Sequence, residues 1–97
     1  MVIQKKTIDE NVIVSPEGII DTSSAGEFED SMKEVVSTGK HVIVDFSKVD
    51  FISSSGLRVL LIVLKSQTKP NITLTNLSQS VREVFELTGF IDLFDIK

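Results

Sequence analysis

Residues Val44 to Leu64 read VDFSKVDFISSSGLRVLLIVL. The stretch opens as an apolar run of β type, passes through a polar turn, and ends in a second apolar run long enough for a helix. Between the runs stand Ser53-Ser54-Ser55-Gly56. The helix is expected to begin near Ser54 or Ser55, because serine is a preferred N-cap. Leu57, Leu60, Leu61 and Leu64 make a tight stripe along it, and Val59, Ile62 and Val63 make the remainder apolar. Only Arg58 and Lys65 interrupt. Such a helix is buried between neighbours or presents a second apolar face to a partner. Just upstream, His41 to Phe46 is nearly continuous apolar and β-branched, the pattern of a central strand. Ser47 to Asp50 reads as a turn, and Phe51-Ile52 as a return to the core.

Working outward, Met1 to Lys6 fits a first strand, Asp9-Glu10-Asn11 a turn and Val12-Ile13-Val14 a second strand. Pro16-Glu17-Gly18 reads as a bend or bulge, after which Ile19-Ile20 leads to Asp21. A first helix follows, with Ser24 and Glu27 spaced as a capping box. Its apolar stripe is Ala25, Phe28, Met32, Val35 and Val36, and Gly39 ends it. On the other side, Thr68 to Asn71 is a turn and Ile72-Thr73-Leu74 a fourth strand. A third helix opens over Leu77 to Ser80, with Ser80 and Glu83 as a second capping-box pair. Its packed face is Val81, Val84, Phe85 and Thr88, and Gly89 closes it. Phe90 to Ile96 reads as a last helical turn plus an edge strand. The order β-β-α-β-α-β-α predicts an α/β fold: a small mixed β-sheet of 4-5 strands with helices packed on one face, joined by right-handed crossovers.

The totals narrow the function. Ninety-seven residues are expected to form a single domain, residues 1–97. The net charge of −4, with only Lys5-Lys6 adjacent among the basic residues, argues against a nucleic-acid partner. Zero cysteines and one histidine exclude thiolate zinc sites, disulfides and multi-histidine metal sites. No run approaches a membrane span of ~20 residues, and the first residues lack the apolar core of a signal peptide. A cytoplasmic protein without membrane insertion is the reading. The sequons at Asn71 and Asn76 then carry no meaning.

Four chemistries compete for the serines. A nucleophile needs a base, and His41 lies at the far end of its strand, more than ~15 Å from them. There is also no first glycine of a G-x-S-x-G elbow, so a hydrolase is disfavoured and no enzymatic activity is expected. A phosphate cradle would use the free N–H groups of the helix mouth, but no Walker lysine is present. Plain capping requires one serine, not three, but serine-rich turns are common, so capping alone stays open on these residues. A phosphoacceptor is the remaining reading: phosphoserine at a helix N-terminus is tolerated by the dipole and adds about −1.5 to −2 charge. Asp21, Asp45 and Asp50, each near a strand end, would then make the new charge a repulsive signal to a docked partner.

The residues VDFSKVDFISSSGLRVLL resemble the core of STAS domains, specifically the bacterial anti-sigma factor antagonists, whose motif runs from an apolar strand through D-[ST]-[ST]-G-L into an apolar helix. Gly18-Ile19-Ile20-Asp21 resembles the family's G-x-[LI]-D segment, and Val81 to Phe90 (VREVFELTGF) its third helix. The resemblance spans nearly the whole chain in order. It implies a protein that binds an anti-sigma factor serine kinase and is phosphorylated on the hydroxyl residue before the motif glycine, Ser55, with Ser54 as second choice. A serine phosphatase reverses the modification. It further implies a partner-binding surface of Asp21, Thr22, Ser53, Ser54, Ser55, Gly56 and Leu57, and no cofactor. The chain departs from the family in carrying Ser53 where aspartate is usual, which removes a charge beside the acceptor. A constitutive STAS scaffold, or a nucleotide- or small-molecule-sensing domain, is the alternative within the same fold.

Overall fold

The structure is a computed structural model, and it describes residues 1–69 and 71–97. The turn expected at Thr68 to Asn71 includes Pro70, which lies outside the described residues. In chain order the elements are β1 (Ile3–Ile8), β2 (Asn11–Pro16), β3 (Gly18–Ile20), α1 (Ala25–Val36), β4 (His41–Asp45), β5 (Val49–Ile52), α2 (Ser54–Lys65), β6 (Ile72–Thr75), α3 (Gln79–Thr88) and, after a short helical turn, β7 (Asp95–Ile96). The main sheet has the order β1-β2-β4-β6-β7. β1 and β2 form an antiparallel hairpin, and every other pairing in this sheet is parallel. β4 is the middle strand, as its apolar run predicts.

The three helices cover the sheet face formed by Val12, Val14, Val42, Val44, Ile72 and Leu74, all buried. Phe28, Met32 and Val35 of α1, Leu57, Leu60 and Val63 of α2, and Val81 and Phe85 of α3 complete the core. Phe85 stands edge-to-face with both Phe46 and Phe94, at 6.2 Å between ring centres. On the opposite face, β2 and β4 carry half-buried Ile13, His41, Ile43 and Asp45. The strict alternation along β2 and β4 therefore sets a one-sided fold.

The structure adds two strands to the expected order. β3 and β5 pair in parallel as a separate two-stranded ribbon. The Ser47 to Asp50 stretch is thus a turn only as far as Lys48. Gly18, at φ +89°, donates its N–H to the Lys48 carbonyl at 2.8 Å and starts the ribbon. One pair of β5 departs from expectation. Phe51 pairs with Ile19 and stays 45% exposed, with Ile19 at 53%, while Ile52 is fully buried. Strand alternation sends one member of Phe51-Ile52 outward.

Neither expected capping box forms. Ser24 is the N-cap residue of α1 but makes no side-chain cap bond. Its hydroxyl is turned inward, accepting from the Asp21 N–H at 3.0 Å and donating to the Ile19 carbonyl at 2.9 Å. Glu27 is engaged by the Met1 amino group at 3.1 Å. In α3 the cap is Ser78, which accepts from the Val81 N–H at 3.3 Å, so Ser80 lies inside the helix. Gly89, at φ +78°, closes α3 as expected.

Candidate functional site

The ribbon decides the site. Because β3 and β5 run in parallel, both strands end on the same side, and each leads directly into a helix. Ser53 donates its N–H to the Ile20 carbonyl at 2.8 Å, tying the end of one strand to the end of the other. The N-termini of α1 and α2 therefore share one mouth, which brings together Asp21 and Thr22 from one side and Ser53, Ser54 and Ser55 from the other.

Each residue has a distinct place. Ser53 is the N-cap of α2, and its hydroxyl accepts from the Ser55 N–H at 3.2 Å. It performs the capping that the family's usual aspartate would perform, without the charge. Ser54, at the first helical position, is exposed. Ser55, at the second, is half-buried, and its Oγ shares a hydrogen bond of 3.0 Å with Thr22 Oγ1. That bond spans 33 residues of sequence and is the one direct side-chain link across the mouth among the described residues. Asp21 makes no hydrogen bond to Ser53, Ser54 or Ser55 among the described residues. Its Oδ1 accepts from the Ser23 hydroxyl at 2.7 Å and the Ser23 N–H at 2.9 Å. Those bonds, the hydroxyl first, hold the carboxyl below the ordinary aspartate range.

Gly56 and Leu57, expected on the partner surface, are both buried. Gly56 packs directly on the ribbon. A methyl group at Gly56 would stand 2.7 Å from Ile20 Cγ2 and 2.7 Å from Ile52 Cγ1. The motif glycine is thus what lets the first turn of α2 sit against β3 and β5. Asp45 and Asp50 also stand apart from the serines in their contacts. Burial pushes the Asp45 carboxyl up, but hydrogen bonds from Asn76 and Ser47 outweigh it and leave it lowered. Asp50 contributes its carbonyl to the Ser80 hydroxyl at 3.5 Å.

His41 is committed elsewhere. Its Nε2 lies 2.7 Å from Thr73 Oγ1, which donates to Asp95 Oδ2 at 2.9 Å on the open sheet face. No described contact joins it to Ser53, Ser54 or Ser55, so a serine–histidine nucleophile is not assembled. Among the described residues there is no cluster of metal-ligating side chains and no helix long and apolar enough to cross a membrane.

Sequence reasoning missed a groove. It has a volume of about 290 Å³ and runs from the mouth between α1 and α2, lined by Ala25, Gly26 and Glu29 on one side and by Ser55, Arg58, Val59 and Ile62 on the other. Arg58 registers in the sequence only as a break in an apolar helix. The available signal was its spacing: three residues after Ser55, on the same helical face.

The sequence and the fold now meet known proteins. The STAS domain family model matches residues 2–97. The chain is 36% identical over 92 residues to a candidate anti-sigma factor antagonist, BtrV, of Bordetella bronchiseptica, covering 92% of this chain and 79% of that protein. It is 27% identical over 89 residues to a STAS-domain containing protein of Pseudomonas aeruginosa, covering 90% and 88%. Among solved structures, an anti-sigma factor antagonist from Mycobacterium paratuberculosis superposes with a TM-score of 0.89 at 25% identity, covering 98% of this chain and 83% of the other. The phosphorylated form of the Bacillus cell fate determinant SpoIIAA shares the fold, with a TM-score of 0.72 at 20% identity over 99% and 91%. The chain belongs to the STAS domain family.

Proposed function

We propose that this protein is an anti-sigma factor antagonist: a binding module, not an enzyme, that sequesters an anti-sigma factor while Ser55 is unmodified. The observation that carries the reading is the shared mouth of α1 and α2, with half-buried Ser55 in it and its hydroxyl bonded to Thr22. The names of the 36%-identical relative and of the Mycobacterium neighbour support the same class. Asp21, Thr22, Ser53, Ser54 and Ser55 form the docking rim, and Gly56 and Leu57 hold its shape from below.

The partner is also the serine kinase. The Ser55 Oγ attacks the γ-phosphorus of a nucleoside triphosphate. An Oγ–P bond forms, the bond to the bridging oxygen breaks, the diphosphate leaves and the hydroxyl proton is released. A serine phosphatase hydrolyses the ester back to hydroxyl and inorganic phosphate. The modified side chain carries about −1.5 to −2 charge and can no longer meet Thr22 as a neutral hydroxyl. A partner fitted to the unmodified rim meets both repulsion and a changed shape.

The test is binding of the cognate anti-sigma kinase to the natural chain and two variants. Ser55→Ala should bind like the natural protein and take up no phosphate, whereas Ser55→Asp should bind at least about ten-fold more weakly. Equal binding by both variants refutes the switch. Phosphopeptide mapping on protein from its own cells assigns the acceptor, with Ser54 as the competing site.

A further inference from the structure

We infer that Arg58 is the intramolecular partner of the phosphoryl group on Ser55, drawing it from the mouth into the groove between α1 and α2. The inference rests on Ser55 being the acceptor and adds what receives the charge.

Arg58 and Ser55 line the same groove. They are three residues apart on α2, hence on one face. Side chains on a helix lean toward its N-terminus, which directs the Arg58 side chain back toward the turn that contains Ser55. Arg58 is exposed, and no carboxylate lies within ion-pair distance of it among the described residues. It is also the sole cation lining the groove among the described residues. The charged group opposite is Glu29, whose carboxylate is held by Lys33 at 2.6 Å on α1, and Asp21 adjoins Thr22 at the rim. Both repel a phosphate, so the attraction that fixes its direction falls to Arg58 and to the free N–H groups of the α2 first turn. A guanidinium offers paired donors that match phosphate oxygens. Modification then does two things at once. It breaks the Thr22–Ser55 bond, and it ties up the groove's cation, which a docked partner can no longer use.

The test uses the full chain with phosphoserine encoded at position 55, so its outcome does not depend on which residue the cells phosphorylate. The second ionisation of the phosphoryl group is followed by phosphorus NMR. A nearby cation favours the dianion, which places the midpoint below the ordinary value of about 6. In R58Q the midpoint should rise by roughly half a pH unit, and R58K should fall between, keeping the charge but losing the fork. Thermal unfolding of unphosphorylated R58Q should match the natural chain, because Arg58 is exposed. An R58Q midpoint equal to or below that of the natural sequence overturns the inference while leaving the Ser55 switch standing. Failure to find phosphate on Ser55 in cells sinks the switch instead.

Discussion

Replacing Gly56 by alanine tests why the motif glycine is there. In an exposed helix the change would gain up to ~1 kcal/mol from helix propensity. Here the new methyl meets Ile20 Cγ2 and Ile52 Cγ1, both at 2.7 Å, and Ile52 Cδ1 at 3.1 Å. Neither of the two closest atoms is the far end of a flexible side chain, and both isoleucines are fully buried. Relief therefore requires a changed rotamer or a lift of α2 from the ribbon. Overpacking costs about 1–3 kcal/mol, and two contacts at 2.7 Å put this case in the upper part of that range, so it outweighs the propensity gain. A net loss of ~1–2 kcal/mol is expected, or roughly 4–15 °C in Tm for a chain of this size. Urea unfolding followed by circular dichroism measures it. A double-mutant cycle sharpens the test. Ile52→Ala alone should cost about 2–5 kcal/mol. In the Gly56→Ala background it should cost about 1 kcal/mol less, because the new methyl fills part of the space vacated. A Gly56→Ala protein as stable as the original, or a strictly additive cycle, refutes the packing argument and leaves the glycine to be explained by partner contact alone.

Two further outcomes follow from the same geometry, both read from equilibrium unfolding. Ser53→Ala removes the α2 cap and should cost about 1 kcal/mol, whereas Ser54→Ala, whose hydroxyl has no partner among the described residues, should stay within about 0.5 kcal/mol; equal costs would mean that the cap is not where the structure puts it. Phe46→Ala should cost about 3–5 kcal/mol because the ring is fully buried against Phe85, while Phe51→Ala, with its ring 45% exposed, should cost less than half as much; comparable losses would place Phe51 in the core after all.

The sequence carried the periodic elements because burial is one-sided. Val12 and Val14, or Val42 and Val44, alternate as a half-buried strand must, and Phe28, Met32 and Val35 keep helical spacing. What it did not carry depends on long-range pairing. β3 has three residues and β5 four, too short to show a period, and each exists as a strand because the other lies beside it. The Ile19–Phe51 pair and the Thr22–Ser55 bond are consequences of that register and appear in no local window. The capping boxes failed for a related reason. Ser24 is drawn inward by the Ile19 carbonyl and the Asp21 N–H, tertiary partners that compete with the local cap. In α3 the start lies two residues before the expected cap, at Ser78, whose hydroxyl accepts from the Val81 N–H.

The departure at Ser53 takes on a physical meaning in this setting. The family's aspartate would supply two things at the mouth of α2, a cap acceptor and a negative charge. Ser53 keeps the acceptor, since its hydroxyl receives the Ser55 N–H, and omits the charge. The unmodified mouth then has a single carboxylate on its rim, Asp21, already satisfied by Ser23. A phosphoryl group arriving on Ser55 meets less standing repulsion than it would beside an aspartate. With Arg58 one turn away, the modified state is correspondingly better accommodated within the folded chain. The contrast that a partner reads is sharper as well: a rim whose one carboxylate is Asp21 in one state, and about −1.5 to −2 of added charge in the other. Loss of the motif aspartate is therefore compatible with a working switch, because the cap and the charge are separable functions and α2 requires only the first.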